Sequence, residues 1–273
     1  MITSSANGQM KRIALLNRKA KARYEQQVFV AEGMKMCFEA PKASVQAMYV
    51  SESFLLDEGR REKLAGYRYE VVADPVFRSV SDTETPQGIL CLVKMPQYGL
   101  EDMLCAAPQG MQAEGSGKGL PGKNAQLLVL EGIQDPGNLG TMIRTGEAAG
   151  MTGIIMDKST VDLFHPKTVR ATMGSLYRMP YYISPSLPDT IRMLQGRGVF
   201  LYAAHLRGAV MYDQPDYRKA IGFLIGNEGK GLSPQAAGLA DSCVRIPMEG
   251  SIESLNAAVA AALLMYEANR QRR

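Results

Sequence analysis

Three short segments in the second half of the chain place glycine or polar residues at one end of an apolar run. They are Asn138–Arg144, Gly226–Gly231 and Ser254–Asn256. The second directly follows the apolar run Ile221–Ile225, and the third directly precedes the apolar run Ala257–Tyr266. Because ligands of open α/β sheets bind at the carboxyl ends of the strands, the three segments predict a single site at one edge of a sheet.

The second half of the chain predicts an α/β domain with a parallel sheet covered on both faces. Its first apolar run, 126–131, is nearly continuous, as expected for a strand buried on both sides. Helical and strand patterns then alternate, which is typical of βαβ units. The predicted helices cover 138–149, 166–174, 188–195, 233–240 and 254–270, and the further strands cover 153–156, 179–183, 199–203, 221–225 and 244–246. We therefore predict an α/β domain over residues 125–273.

A smaller α/β domain is predicted over residues 1–96, where a helical pattern from about residue 9 to 24 precedes alternating short strands and helices. Two domains are also the expectation for a chain of 273 residues. Residues 97–124 are rich in glycine and poor in large apolar side chains, which predicts a linker. The run 115–119 within it has neither a preceding strand nor the spacing of a phosphate-binding loop.

The net charge of +4 is unevenly distributed. Residues 1–35 contain five more basic than acidic side chains: Lys11, Arg12, Arg18, Lys19, Lys21, Arg23 and Lys35 against Glu25 and Glu32. Such a stretch is either the solvated face of a helix or a surface that attracts phosphates of a nucleic acid. Charge alone does not decide between the two.

Several classes of protein are disfavoured by what the sequence lacks. The four cysteines are far apart without a CxxC spacing, and His165 and His205 stand alone, so we expect neither a zinc site nor disulfides. The longest apolar run, Ala257–Tyr266, is about half of a membrane span. The N-terminus lacks the apolar core of a signal peptide. We therefore expect a cytoplasmic protein that binds neither membrane nor metal.

The first segment contains an asparagine and an arginine that are candidates for chemistry. Asn138 lies at the predicted start of a helix, where it is either an N-cap alone or a site residue as well. Arg144 lies six residues further on in a helix otherwise made largely of small and apolar residues. Its guanidinium is either solvated or available to grip a phosphate through two hydrogen bonds.

The second and third segments add a carboxylate, a hydroxyl and a second amide. Three glycines in the six residues from Gly226 to Gly231 exceed what a simple turn needs, and they let the backbone approach a ligand closely. The spacing matches neither a Walker loop nor GxGxxG, which leaves Glu228 free to orient an arginine or RNA. Ser254 alone could be a helix N-cap, but Asn256, predicted just inside the helix, is harder to explain as a surface residue.

Taken together, the three motifs resemble those of the SpoU/TrmH family of RNA 2′-O-ribose methyltransferases, in the SPOUT superfamily. The matching residues are Leu130–Gly140 with Arg144, then Ile225–Gly229 with Gly231–Ser233, then Ile246–Met248 with Ser254–Asn256. The N-terminal residues Lys21–Arg23 and Phe29–Gly33 are similar to the family's substrate-binding domain, which itself resembles small RNA-binding ribosomal proteins. The resemblance therefore covers both predicted domains.

This resemblance implies a SPOUT fold, in which the C-terminal segment threads through a loop to form a trefoil knot, together with a homodimer and S-adenosylmethionine as methyl donor. Gly226, Ile246 and Leu255 are then expected to contact the cofactor, largely through backbone groups. Their neighbours Asn227 and Met248 belong to the same expected cofactor site.

The resemblance also implies catalytic roles. The family assigns activation of the ribose hydroxyl to the motif 1 arginine, here Arg144. Because a guanidinium is a poor base at neutral pH, we expect Arg144 to hold the neighbouring phosphate and stabilise the developing alkoxide. Literal proton abstraction by Arg144 remains an alternative. Asn138, Glu228 and Asn256 are expected to fix Arg144 and the ribose, and Ser254 to support the loop.

The expected substrate is structured RNA, held by the basic N-terminal domain. Ribosomal RNA is favoured over transfer RNA because the two-domain arrangement resembles members that act on ribosomal RNA. The alternatives are a tRNA 2′-O-methyltransferase, a base-modifying methyltransferase and a SPOUT protein that binds RNA without catalysis. An oxidoreductase is disfavoured because no strand–GxGxxG–helix unit is present.

Overall fold

The computed structural model describes residues 1–104, 125–206 and 210–273. Most of the predicted linker, residues 105–124, therefore lies outside the described residues, as does Cys105. The helices and strands follow one another along the chain as α1 (Gly8–Arg18), α2 (Ala20–Gln26), β1 (Val28–Glu32), α3 (Met34–Glu39), β2 (Val45–Ser51), α4 (Glu58–Glu62), β3 (Glu70–Val72), α5 (Asp74–Val80), β4 (Ile89–Lys94), α6 (Leu100–Leu104), β5 (Gln126–Leu130), α7 (Pro136–Ala149), β6 (Gly153–Asp157), α8 (Pro166–Ala171), β7 (Tyr181–Ser184), α9 (Leu187–Gly196), β8 (Phe200–Ala204), β9 (Val210–Met211), β10 (Ile221–Ile225), α10 (Pro234–Leu239), β11 (Ser242–Arg245) and α11 (Ala257–Arg272).

The chain divides into two compact units. Unit 1 comprises Met1–Gln97 and Asp162–Tyr177, and unit 2 comprises Tyr98–Val161 and Arg178–Arg273. Residues 162–177, which the sequence pattern assigns to the second domain, thus group with the N-terminal residues. The chain consequently passes between the units three times.

Unit 1 contains a four-stranded mixed sheet in the order β1-β4-β2-β3. Strand β4 pairs antiparallel with β1 and β2, and β2 pairs parallel with β3. Apolar side chains of α1 and α5 pack with those of the sheet in one buried core that includes Ile13, Leu16, Val30, Phe77 and Leu90. Burying a side chain of this size stabilises the fold by roughly 1.5–3 kcal/mol.

The helix predicted from about residue 9 to 24 is divided in the structure into α1 and α2. The break lies at Lys19, whose backbone is extended, with φ −121° and ψ 108°. Arg23 of α2 is buried and donates hydrogen bonds to the carbonyls of Leu16 and Asn17 in the last turn of α1. A buried cation thereby satisfies carbonyls that a helix end leaves without partners.

Residues 162–177 join unit 1 through polar and aromatic contacts. Asp162 forms an ion pair with Arg23 and accepts a hydrogen bond from the Tyr24 hydroxyl at 3.0 Å. The ring of Phe164 packs against that of Phe29, with 4.9 Å between the centroids. These partners are more than 130 positions apart in sequence, so no local pattern could have predicted the contacts.

Unit 2 contains a seven-stranded sheet in the order β7-β6-β5-β10-β8-β11-β9, with every neighbouring pair parallel. This confirms the predicted parallel sheet. Strand β9 was not predicted, and α6 falls inside the stretch predicted as linker. Met103 and Leu104 of α6 are buried in the same core as Leu127, Ile191 and Leu201. The sequence pattern missed α6 because this helix of five residues borders a glycine-rich stretch.

Two features are absent from the described residues. No helix in residues 1–104, 125–206 or 210–273 is long and apolar enough to cross a membrane. In the same ranges, no group of three or more histidine, cysteine, aspartate or glutamate side chains could hold a metal ion.

Candidate functional site

Three neighbouring strands of unit 2, β10, β8 and β11, end at the same cavity, which has a volume of about 490 Å³. The cavity is closed on another side by the loop before α11 and by α11 itself. Its lining consists of Ala204–Leu206, Ile225–Leu232, Val244, Ile246, Met248, Glu253–Leu255, Ala257, Ala260 and Leu264. The second and third sequence segments thus lie together at one edge of the sheet, as predicted.

The residues predicted to bind a cofactor are Gly226, Asn227, Ile246, Met248 and Leu255, and all of them line this cavity. Their lining positions come from three separate stretches that are brought together by the parallel order of β10, β8 and β11. Their role as cofactor contacts stays a prediction. The five positions offer mainly backbone and apolar groups to the cavity, which is the kind of contact that the sequence analysis expects.

Gly226 is where the loop after β10 folds back on itself. A Cβ atom at this position would lie 2.1 Å from the Leu232 nitrogen and 2.2 Å from the Gly231 carbonyl carbon. Such distances are far inside van der Waals contact, so only glycine fits here. Gly231 adopts φ +68°, a left-handed conformation that glycine takes without strain.

Asn227 holds this loop closed. Its backbone pairs with Gly231 in both directions, at 3.1 and 2.9 Å. Its side-chain oxygen accepts hydrogen bonds from the N–H groups of Gly229 and Lys230, and its amide nitrogen donates to the Gly132 carbonyl at 2.7 Å. The two acceptor sites of the Asn227 side-chain oxygen are thus occupied within the loop, and one N–H of its amide is used by Gly132.

A second set of predicted residues forms a hydrogen-bonded chain beside the cavity. The Asn138 amide nitrogen donates to Glu228 Oε1 at 3.0 Å, and the Asn138 oxygen accepts from Asn256 Nδ2 at 3.0 Å. Glu228 lines the cavity and connects the chain to it. One residue from each of the three sequence segments therefore belongs to a single polar network.

The Glu228 carboxylate is held in its ionised form. Besides Asn138, it accepts hydrogen bonds from the backbone N–H groups of Gln134 at 3.0 Å and Asp135 at 3.1 Å. Partial burial alone would raise the pKa of Glu228, but these hydrogen bonds outweigh it and lower the pKa below the ordinary value of 4.5. The carboxylate therefore orients the loop that starts α7.

The helix starts at this site differ from the sequence prediction. Helix α7 begins at Pro136, and its N-cap is Asp135, whose carboxylate accepts from the Asn138 N–H at 2.8 Å. The N-cap interpretation of Asn138 is therefore wrong, because an Asp-Pro pair starts the helix earlier and leaves the Asn138 side chain free for Glu228 and Asn256.

Helix α11 also starts later than predicted. It begins at Ala257 rather than at residue 254, and Asn256 is its N-cap, accepting from the N–H groups of Ala258 and Val259. The N-cap interpretation of Ser254 is wrong, since Asn256 fills that position. Ser254 lies in the preceding loop and lines the cavity.

Arg144 is not part of the network. It is exposed on α7, and its guanidinium forms no hydrogen bond or ion pair with any residue in the described part of the chain. Six residues of helix separate it from Asn138, a rise of about 9 Å. The predicted catalytic role of Arg144 therefore requires a substrate or a partner surface to bring the groups together.

Sequence reasoning missed two walls of the cavity. Ala204, His205 and Leu206 follow β8, and three small or apolar residues of α11, Ala257, Ala260 and Leu264, complete the lining. The strand before His205 was predicted almost correctly. This strand, β8, reaches the cavity because it lies next to β10. That strand order cannot be predicted from a local sequence pattern.

The cavity suits a ligand of nucleoside size that also carries charged groups. Its volume falls in the range of small-molecule sites, which are mostly apolar with a few placed polar groups. The apolar lining includes Ile246, Met248 and Leu255, and the charged side chains are Glu228, Lys230 and Glu253.

Comparison with known proteins agrees with this geometry. Residues 125–266 match the model of the SpoU rRNA Methylase family, and residues 7–91 match the MRM3-like substrate binding domain. The chain is 32% identical over 267 residues to the 23S rRNA (guanosine(2553)-2′-O)-methyltransferase RlmP of Bacillus subtilis, covering 97% of each chain.

Solved structures show the same relationship. The chain is similar to the SpoU methyltransferase AviRb from Streptomyces viridochromogenes in complex with AdoMet, with a TM-score of 0.82, 26% identity and coverage of 97% and 98% of the two chains. It is also similar to the AdoMet-bound rRNA methyltransferase from Sinorhizobium meliloti, with a TM-score of 0.79, 32% identity and coverage of 98% and 97%. A family model that spans more than half of the chain and a relative matched over nearly its whole length lead to one conclusion: the chain belongs to the SpoU rRNA methylase family.

Proposed function

We propose that this protein transfers a methyl group from S-adenosylmethionine to the 2′-hydroxyl of a nucleotide in ribosomal RNA. The observation that carries the proposal is the Asn138–Glu228–Asn256 network at the edge of the cavity, with each residue contributed by a different motif. The relative RlmP carries the same reaction in its name, and two similar structures contain AdoMet.

The cavity residues hold and orient the methyl donor. When bound, S-adenosylmethionine supplies an electrophilic methyl group on a positively charged sulfur. The folded-back loop at Gly226 lines the cavity without a side chain at that position, and Ile246 and Leu255 offer apolar contacts to the adenine ring. Positioning of the two reacting groups in line provides much of the rate enhancement in such a displacement.

The network residues act on the ribose side. Glu228 fixes Asn138 through one amide hydrogen bond, and Asn138 in turn fixes Asn256. Arg144, exposed and without a partner among the described residues, is free to bind the phosphate next to the target ribose. Its charge would stabilise the alkoxide that develops on the 2′-oxygen.

Unit 1 is the proposed RNA-holding part. Its helices α1 and α2, with Lys19 between them, expose Lys11, Arg18, Lys19 and Lys21. Of these four, only Lys21 pairs with an acidic side chain in the described part of the chain, namely Glu25, at 3.7 Å between two exposed groups. Such weakly paired lysines and arginines supply the salt-dependent attraction to RNA phosphates. The match of residues 7–91 to a substrate binding domain supports this role.

A homodimer is also proposed, and the exposed face of α11 supports it. Val259, Leu263 and Tyr266 are spaced as one stripe of a helix and are 49%, 37% and 45% exposed. Helix α11 runs alongside α7, since Asn256 bonds Asn138 near their starts and Asn269 bonds the Ala149 carbonyl near their ends. Sedimentation of the protein as a monomer would contradict this part of the proposal.

Two further expectations stay proposals. The trefoil knot is supported by the strand order, in which β10 is inserted between β5 and β8 although β8 precedes it in the chain. A cytoplasmic location is proposed together with the substrate, because ribosomal RNA is present there.

The activity is tested with purified protein and methyl-labelled S-adenosylmethionine, incubated in parallel with ribosomal RNA that lacks the modification and with transfer RNA. After complete digestion, mass spectrometry of the nucleosides should detect label in a 2′-O-methylated nucleoside. Label in a methylated base would support the base-modifying alternative, and label in transfer RNA alone would support the tRNA alternative. Cofactor binding without any RNA methylation would support the non-catalytic alternative.

A further inference from the structure

The cofactor cavity contains an acidic side chain that the fold leaves without a partner. Glu253 lines the cavity from the loop before α11, and its carboxylate forms no hydrogen bond or ion pair with any residue that the structure describes. The other acidic residue of the lining, Glu228, is already occupied by Asn138 and by the backbone of Gln134 and Asp135. Glu253 is therefore the carboxylate that remains open to a ligand.

A basic side chain lines the same cavity from a different loop. Lys230 belongs to the folded-back loop after β10, and its ammonium group also forms no ion pair within the described ranges, including none with Glu253. Two opposite charges that line one cavity without neutralising each other complement a zwitterion. The amino-acid end of S-adenosylmethionine is such a group, with an α-ammonium and a carboxylate on the same carbon.

We propose that Glu253 binds the α-ammonium group of the methionyl part of S-adenosylmethionine. The proposal rests on the proposed function, because it needs that cofactor in this cavity. The sulfonium is the other positive group of the cofactor, but the transferred methyl has to face the ribose side. There the carboxylate is that of Glu228, which joins the Asn138–Asn256 network. A charge-assisted hydrogen bond from the ammonium to Glu253 anchors the end of the cofactor that takes no part in the chemistry.

The test uses the full-length protein and three ligands in calorimetric titrations. S-adenosylmethionine has both positive groups, S-adenosylhomocysteine keeps only the ammonium, and 5′-methylthioadenosine has neither. We expect Glu253→Gln to raise the Kd of the first two ligands by about 10-fold or more, the usual size for one hydrogen bond between charged groups. The Kd of 5′-methylthioadenosine should stay unchanged.

Glu249→Gln is the matched control. Glu249 is an exposed glutamate of the same loop that does not line the cavity, so this variant should bind all three ligands like the wild type. Thermal unfolding of both variants checks that the loop change leaves the fold intact.

Three results would overturn the inference. If Glu253→Gln weakens the binding of S-adenosylmethionine alone, Glu253 contacts the sulfonium; if it weakens the binding of all three ligands equally, Glu253 maintains the shape of the loop. An unchanged Kd for every ligand would also contradict the inference. Failure of the proposed function looks different, because the wild-type protein itself would then bind none of the three.

Discussion

The amide of Asn138 lies 3.0 Å from the carboxylate of Glu228, although the two residues are 90 positions apart in the chain. The contact joins the first turn of α7 to the loop after β10, so two motifs of the sequence meet in one hydrogen bond. Because Asp135 caps the helix instead, Asn138 is available for this contact. The hydrogen bond orients the Asn138 amide, whose oxygen accepts from Asn256. Loss of the bond should therefore lower the rate of methyl transfer.

Replacing Glu228 by glutamine should reduce methyl transfer. Glu228 accepts from three donors, and the glutamine amide would turn an N–H group toward at least one of them. Displacing positioned groups by about 1 Å lowers turnover by roughly 100-fold, so we expect a fall of this order in kcat. Steady-state assays with labelled cofactor measure it, and the Kd of the cofactor should change only a few-fold. Wild-type kcat in this variant would remove Glu228 from the catalytic arrangement.

The same substitution should change how stability depends on pH. The pKa of Glu228 is lowered in the folded protein below its ordinary value of 4.5, so the folded state favours the ionised form. Its contribution to stability is present above pH 4.5 and is lost as the pH falls through the lower, folded pKa. The difference in unfolding free energy between wild type and Glu228→Gln, measured in urea, should therefore be larger at pH 7 than at pH 3. Because Glu228 is partly exposed, the difference will be small, and a difference independent of pH would contradict the argument.

Arg144→Ala should separate binding from chemistry. Arg144 neither lines the cavity nor bonds to a residue of the described chain, so cofactor affinity should match that of the wild type. Methyl transfer to RNA should fall by about 100-fold or more, because a charge that stabilises the developing alkoxide is lost. Arg144→Lys should restore only part of the rate, since an ammonium lacks the two-pronged geometry of a guanidinium. Retained turnover in Arg144→Ala would exclude the proposed role.

Gly226→Ala should disturb the cavity itself. The added methyl would lie 2.1 Å from the Leu232 nitrogen and 2.2 Å from the Gly231 carbonyl carbon, so the loop has to move. Crowding of this kind destabilises a protein by about 1–3 kcal/mol, and cofactor binding should be lost with the loop geometry. Thermal unfolding and calorimetry measure the two effects.

Gly238→Ala provides the control for that substitution. Gly238 lies in α10 with no atom within 4 Å of an added Cβ. Alanine favours a helix over glycine by up to about 1 kcal/mol, so this variant should be as stable as the wild type or slightly more so. If both variants behaved alike, the close approach at Gly226 would not be what shapes the cavity.

Asp162→Asn should destabilise unit 1. The substitution leaves the guanidinium of Arg23, only 3% exposed, without its counter-charge. Breaking a buried pair from one side costs about 3–5 kcal/mol, and chemical denaturation should show a loss near the lower end of that range. Asp189→Asn is the control, because Asp189 pairs with Arg192 on an exposed helix surface, where a pair contributes less than about 1 kcal/mol. Equal stability of the two variants would show that Asp162 does not fix its segment to unit 1.

The sequence predicted best the features that short patterns determine. The apolar runs 126–131 and 221–225 identified β5 and β10, because strands buried on both faces need a continuous series of large side chains. The glycines and polar residues after β10 identified one wall of the cavity for the same local reason. The start of α7 could also have been predicted, since the pair Asp135-Pro136 is a strong helix-start signal. The sequence analysis considered Asn138 as the N-cap instead.

Features that depend on distant residues could not be predicted in this way. Strand β10 lies between β5 and β8, and this order brings His205 and its neighbours to the cavity. The helix break at Lys19 is accompanied by the buried Arg23, which forms an ion pair with Asp162. In each case the deciding energy comes from a contact between residues that no window of the sequence contains together.

The three passages of the chain between the units limit how this protein can be rearranged. Unit 1 is built from the N-terminal residues together with Asp162–Tyr177, so it is not a cassette that a single cut or a single fusion point could exchange. A version without the first 96 residues would leave Phe164 and Tyr177 without the partners Phe29 and Met36 against which they now pack and bond. In the proposed function unit 1 holds the RNA, so a change of RNA target would have to come from substitutions within unit 1 rather than from its replacement.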